Sequence, residues 1–235
     1  MNSDNFAIYV DNLSYRYPDG RQALDSVHLQ VEHSSRLVLA GPNGCGKSTL
    51  LLHLNGLLDG PGEISIAGLP RTRKNMGSIR KRIGYLFSQV EYQFIMPDLL
   101  NDVMLSVPDV IADLEHRKHI AMGWIKKLGL EDYANRSPLD LSSGEMKRAA
   151  LAGILAREPE VILMDEPLGN LDRKSSMMLI DILSSLKQTM LIATHREIIA
   201  RECATHIAFM REGRVTGTYD AGKALFSKEA KEVLF

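Results

Sequence analysis

The run Gly41-Pro42-Asn43-Gly44-Cys45-Gly46-Lys47-Ser48-Thr49 fits the pattern G-x-x-x-x-G-K-[ST] in full. Its glycines let backbone N–H groups converge on phosphate oxygens, and the helix expected to follow adds its N-terminal dipole. Lys47 is placed to reach the β- and γ-phosphates, and the Ser48 hydroxyl to ligate Mg²⁺. Cys45 is read as a small side chain in a tight loop, although a helix N-terminus also favours a thiolate. A second group of chemical interest is the apolar run Val161-Ile162-Leu163-Met164, which ends in Asp165-Glu166. Beside a bound triphosphate, the first carboxylate suits Mg²⁺ and the second suits a base that orients an attacking water. Alone, such a run is an ordinary strand and surface turn. Next to a phosphate loop it becomes specific.

These residues need a frame that holds them. Arg36-Leu37-Val38-Leu39-Ala40 is a short apolar run ending at Gly41, as expected of a buried parallel strand, and Lys47 to Leu57 reads as the helix after it. Phe6 to Tyr17 alternates and is rich in aromatics, then breaks at Pro18-Asp19-Gly20, so it reads as strand then turn. Val27 to Val31, Ile83 to Phe87, Val161 to Met164 and Met190 to Ala193 are further strand candidates. From Pro97 to Pro159 the spacing turns helical, notably over Val110 to Leu128 and Glu145 to Arg157. Strands alternating with helices at both ends predict an α/β fold with a mostly parallel sheet and a helical lobe inserted in its middle. Asp220 to Phe235 reads as a short helical tail.

Net charge is −1 with 45% hydrophobic and 24% charged residues, so no overall basic field points to nucleic acid. The short basic runs Arg71 to Lys74 and Arg80 to Arg82 read as solvated faces. Cys45 and Cys203 form no C-x-x-C pair, which fits a reducing compartment without a disulfide framework. The polar start lacks a signal peptide, and nothing approaches the ~18 apolar residues of a membrane span. A cytoplasmic location follows as the expectation, with any membrane contact made through a partner. His116 and His119 lie one helical turn apart, a spacing open to a metal. Their charged neighbours Glu115, Arg117 and Lys118 favour a solvated face.

Leu141-Ser142-Ser143-Gly144-Glu145 opens the helix that precedes the acidic pair. With it, the sequence resembles an ATP-binding-cassette (ABC) ATPase, whose signature is usually written LSGGQ, and the motifs run in the family's order over nearly the whole chain. The resemblance implies a P-loop core with an N-terminal antiparallel β part, about 1–96 and 159–220, a helical subdomain about 97–158, and a tail about 221–235. It implies ATP and Mg²⁺ as ligands, with Ser48, Gln89 and Asp165 around the metal. Tyr17 matches the aromatic residue that stacks on adenine, and Gln89 the glutamine that senses Mg²⁺ and couples to the transmembrane partner. Glu166 matches the catalytic base. Asn170-Leu171-Asp172 matches the D-loop and His195 the switch histidine. The signature, Ser142, Ser143, Gly144 and Glu145, would meet the γ-phosphate held by an opposite subunit.

Ser143 for glycine and Glu145 for glutamine depart from the usual signature. Ser142-x-x-Glu145 is itself a capping box, and Glu145 adds negative charge where phosphate would bind. With one copy of each motif, the chain is expected to pair with itself or a paralogue and to dock on transmembrane subunits at the inner face of the cell membrane. Gln89-Val90-Glu91-Tyr92-Gln93-Phe94 resembles the doubled-glutamine segment of energy-coupling-factor ATPases of the cobalt, nickel and vitamin uptake type, with Val90 where a proline is usual. Ala149 to Ala156 resembles the same group. The alternative, a soluble ABC ATPase of DNA repair or translation, usually carries a long coiled-coil insertion or two cassettes, and neither is seen.

Overall fold

The computed structural model describes residues 5–224. The chain divides into two compact units: one holds residues up to Tyr85, Glu160–Glu166 and Leu186 onward, the other Leu86–Pro159 and Pro167–Ser185.

The first part of the chain gives β1 (Ile8–Arg16), β2 (Gln22–Val31), β3 (Arg36–Ala40), α1 (Lys47–Leu54), β4 (Glu63–Ile66), β5 (Leu69–Pro70), α2 (Met76–Arg82) and β6 (Ile83–Leu86). The helical unit supplies α3 (Leu99–Ser106), α4 (Leu114–Lys127), α5 (Ser143–Ala156) and, after β7 (Val161–Asp165), α6 (Arg173–Ser185). The chain then returns through β8 (Thr189–Thr194), α7 (Glu197–Glu202), β9 (His206–Arg211), β10 (Arg214–Asp220) and α8 (Ala221–Ala224).

Two sheets build the first unit. β2-β1-β4-β5 is antiparallel throughout; the second half of β2 alternates buried with exposed residues, whereas β4 is buried from Ile64 to Ile66. The other sheet has the order β10-β9-β3-β8-β7-β6. Its central strands β3, β7 and β8 read as unbroken apolar runs because nearly every residue is buried. Each fully buried Leu, Ile or Val there contributes about 1.5–3 kcal/mol. β3 pairs in parallel with both β8 and β9, and β7 in parallel with β8, while β9 and β10 form an antiparallel hairpin. α1 packs on β7 and β8.

In the second unit α5 is the central helix, in contact with α3, α4 and α6. Its run from Ala149 to Ala156 is buried on every side, so small residues replace the usual polar face. α4 starts at Leu114 rather than near Val110, because the Asp113 side chain accepts from the His116 N–H and fixes the cap there. The strand expected over Phe6 to Tyr17 is confined to Ile8–Arg16. Of the expected helical tail, Asp220 ends β10 and Ala221–Ala224 is helical, and the remainder lies outside the described residues.

Candidate active site

Ala40 lies opposite Thr194, and Asp165 opposite Ala193. Because β3, β7 and β8 run parallel, their carboxyl ends open on one sheet edge, the usual place for a ligand in an open α/β sheet. The phosphate loop, the acidic pair and His195 all leave the strands at that edge.

The loop closes on Gly46, which holds φ at 113°. A Cβ there would come under 3.0 Å from the Ala23 carbonyl and the Met210 side chain, so only glycine fits. No side chain caps the helix that follows, which leaves its first N–H groups facing the loop. Lys47 is buried, and its Nζ donates to the carbonyl oxygens of Gly41 at 2.7 Å and Pro42 at 3.1 Å. Carbonyl dipoles aim the ammonium but carry no net charge, so an arriving anion is still attracted. Burial pushes the Cys45 thiol up, against the pull of Lys47, so this cysteine is a space-filling thiol rather than a reactive thiolate.

The Ser48 hydroxyl donates to Asp165 Oδ1 at 3.0 Å. An alcohol oxygen and a carboxylate so placed are hard donors of the kind Mg²⁺ takes alongside phosphate oxygens. Among the described residues no cluster of three or more His, Cys, Asp or Glu side chains could hold a metal without such help. His116 and His119 stand exposed on α4.

Glu166 follows β7 with φ 45°, a left-handed conformation costly for a side chain with a Cβ. That turn aims its carboxylate at the end of β8. Oε2 accepts from the Thr194 hydroxyl at 2.8 Å, while Oε1 accepts from the His195 N–H at 3.2 Å and lies 2.8 Å from His195 Nδ1. Three contacts thus fix the carboxylate, and one oxygen is shared with an imidazole, the arrangement of side chains that serves general acid–base chemistry.

Tyr17 sits just past β1, with its hydroxyl 3.1 Å from Thr49 Oγ1. A cavity of about 250 Å³ runs from Tyr17 along the loop to Asp165 and Glu166. Arg21, Gln22 and Ala23 also line it, and the Arg21 guanidinium lies 4.8 Å from the Tyr17 ring centre. Sequence reasoning missed these three residues. The turn at Pro18-Asp19-Gly20 was the available signal: it folds the chain back so that the Tyr17 N–H donates to the Arg21 carbonyl.

Gln89, the signature and Asp172 belong to the second unit. Gln89 is exposed and precedes a 3-10 turn over Val90–Gln93 that packs on α5, with the Gln93 amide oxygen accepting from the Phe87 N–H at 3.4 Å. At the start of α5 the capping box is formed. The Glu145 carboxylate accepts from the Ser142 N–H at 2.9 Å and the Ser142 hydroxyl at 2.6 Å. The Tyr133 hydroxyl bonds it too, and these bonds, led by that of the Ser142 hydroxyl, hold the carboxyl below the usual range. Ser143 Oγ donates to the Asn170 carbonyl at 3.1 Å, tying the signature to the D-loop segment. A Cβ at Gly144 would strike the Ser175 side chain, which explains the retained glycine. Asp172 accepts from the Ser175 N–H at 2.7 Å, a helix-capping bond at the start of α6.

A family model described as "ABC transporter" matches residues 24–169. The energy-coupling factor transporter ATP-binding protein EcfA of Carboxydothermus hydrogenoformans is 35% identical over 220 residues, covering 92% of this chain and 82% of the relative. CbiO1 of Clostridium perfringens, part of the ABC transporter complex cbiONQ, superposes with a TM-score of 0.85 at 29% identity, covering 97% of this chain and 94% of the other. The ABC transporter cassette MJ0796, solved as a dimer, gives a TM-score of 0.81 at 29% identity over 91% and 98% of the two chains. Among the described residues no helix is long and apolar enough to cross a membrane.

Proposed function

The chain belongs to the ABC transporter family, and we propose that it is the motor of an energy-coupling-factor importer that carries a transition-metal cation, cobalt or nickel, or a vitamin. Family membership makes it an ATP-binding subunit whose ATP hydrolysis is coupled to transport. The observation that carries the assignment of roles is the meeting of Lys47, Asp165, Glu166 and His195 at one sheet edge.

In this reading adenine stacks on Tyr17, and the N–H groups from Gly41 to Thr49 cradle the phosphates. Lys47 leaves its carbonyl partners for the β- and γ-oxygens, exchanging neutral acceptors for charged ones. Ser48 and Asp165, with Gln89, would hold Mg²⁺, which supplies charge neutralisation on the phosphates when bound. Glu166 orients the attacking water and accepts its proton, while His195 steadies the carboxylate and meets the γ-phosphate. Ser142, Ser143, Gly144 and Glu145 of a second subunit complete the site from outside, with Asp172 at the contact between the subunits. That subunit is a second copy or a paralogue, as expected from the dimer of the MJ0796 cassette. Tyr92 and Ile95 stand exposed near Gln89 and offer an apolar foothold to the transmembrane partner. The chain would then lie on the inner face of the membrane, held there by its partners.

Glu166→Gln tests the chemistry. ATP binding should persist while turnover falls by about 10²- to 10⁴-fold, the usual contribution of a general base. Wild-type turnover in that variant removes Glu166 as the base. The cargo is tested by reconstituting the chain with its membrane subunits and measuring uptake of cobalt, nickel and vitamins.

A further inference from the structure

His53 is fully buried one turn along α1 from Thr49, and none of the roles above is assigned to it. Its Nδ1 lies 2.7 Å from the Thr49 carbonyl, which can only accept, so the ring carries its proton on Nδ1. Nε2 has no hydrogen-bond partner, and burial lowers the affinity of the ring for a second proton. The histidine is therefore held as a neutral aromatic plate. A buried polar nitrogen without a partner carries a cost that a leucine would not, which calls for a reason to keep an aromatic ring there.

The reason lies in what the plate touches. The His53 ring meets Tyr15 edge-on at 4.6 Å between centres and 70° between planes. Tyr15 meets Tyr17 edge-on in turn, at 5.0 Å and 82°. Tyr17 reaches back through its hydroxyl to Thr49 Oγ1, 3.1 Å away, and Thr49 is the residue that holds His53 through its carbonyl. The four residues close a ring of contacts, one of them through the Thr49 backbone carbonyl, that runs from the end of β1 to the first two turns of the phosphate-binding helix. Gly60 packs beside the imidazole, where a Cβ would come 3.3 Å from Nε2 and 3.5 Å from the Tyr15 ring. The Arg71–Asp59 ion pair, 2.7 Å long, ties down the loop that carries Gly60. The imidazole is thus held between its bond to the Thr49 carbonyl, the Tyr15 ring and the Gly60 backbone.

We propose that His53 is a positioning residue that fixes the base-stacking wall, Tyr15 and Tyr17, against the phosphate-binding helix, so that recognition of the base and of the triphosphate act as one. The proposal rests on reading the cavity beside Tyr17 as the nucleotide site. It assigns His53 no contact with the nucleotide. Loss of one edge-to-face contact is expected to weaken ATP binding about 2- to 10-fold. The triphosphate grip should be untouched, since Lys47 and the loop N–H groups do not depend on the ring.

The test uses the full chain with Mg²⁺ and two probes, ATP and inorganic tripolyphosphate. His53→Leu should raise the Kd for ATP about 2- to 10-fold and leave that for tripolyphosphate within about twofold, with kcat at saturating ATP little changed. His53→Phe keeps the aromatic edge contact and should restore most of the ATP affinity. Tyr15→Leu, which cuts the same chain of contacts from the β1 side, should repeat the ATP-selective loss and serves if His53→Leu fails to fold. Equal weakening for both probes, or no weakening for either, overturns the positioning role. If the wild-type chain itself binds ATP no better than tripolyphosphate, the reading of the base pocket fails instead, whatever the variants do.

Discussion

Helix α1 begins at Gly46, with φ 113°, no side-chain cap and no acidic residue in its first turn. Helix α5 begins at Ser142, extended at φ −61° and ψ 159°, with a complete capping box and Glu145 in its first turn. The two N-termini start from the same chemistry, since each exposes N–H groups that no helical carbonyl can satisfy. The sequence answers the deficit in opposite ways. α1 leaves its first donors without a side-chain cap and places a lysine beside them, at the expense of intrinsic helix stability. α5 satisfies the Ser142 and Glu145 N–H groups from within, and the carboxylate that takes part adds a negative charge at the point where the signature would meet phosphate. An uncapped helix end with a lysine and one closed by its own capping box can therefore be told apart by the first residues of each.

Three substitutions sharpen or break this contrast. The largest effect belongs to Lys47→Ala, which removes the ammonium that the Gly41 and Pro42 carbonyls hold at the loop. With two charge-assisted bonds to phosphate lost, at about 1.5 kcal/mol or more each, the Kd for ATP should rise on the order of 100-fold. Titration of ATP by calorimetry checks this, and an unchanged affinity would mean that the N–H groups of α1 suffice. Next comes Gly46→Ala. The left-handed conformation and the clash with the Ala23 carbonyl together should cost about 2 kcal/mol or more of stability, read from the urea midpoint. Full stability would show that the open N-terminus does not depend on glycine.

Much of this is legible in the amino-acid sequence. The phosphate loop, the acidic pair and His195 were readable because each follows an apolar run, and runs buried on both faces look alike in sequence and in structure: β3, β7 and β8 are such strands. β9 and β10 escaped notice for a local reason. Their hairpin turns at Glu212 and Gly213, both with positive φ, and glutamate is an unusual first residue for that turn, so the signal given by Asn-Gly was missing. α4 was placed too early because Val110 and Ile111 continue the apolar spacing, while the stop lies in the capping bond of Asp113. Arg21 and the contacts of His53 could not be read at all, since they depend on a turn and on ring geometry that no periodicity records. The capping box over Ser142 and Glu145 was visible in the spacing, but the further bonds of Tyr133 and Ser143 were not.

The smallest effect, and the one that bears most directly on the contrast, belongs to Glu145→Gln. A carboxylate can only accept, so the Ser142 hydroxyl, 2.6 Å away, must point its proton inward and can offer a phosphate only lone pairs. The carboxyl is held below its usual range by these same bonds, so it remains ionised through neutral pH, and the part of the cap that depends on its charge is lost only as pH falls through that lowered value. Glutamine can accept the Ser142 N–H through its carbonyl and donate its amide to Ser142 Oγ, which frees the hydroxyl proton to face outward and removes one negative charge. For an exposed charge some 6 Å from phosphate in water, that change is worth about 0.7 kcal/mol, and the released hydroxyl adds a bond of about 1 kcal/mol. ATP-driven association should therefore tighten about 3- to 20-fold. Sedimentation of the Glu166→Gln chain with and without Glu145→Gln, at fixed ATP and rising protein concentration, measures the change. Unchanged or weaker association would mean that Glu145 serves the signature turn by holding its shape and sets no barrier against an incoming phosphate.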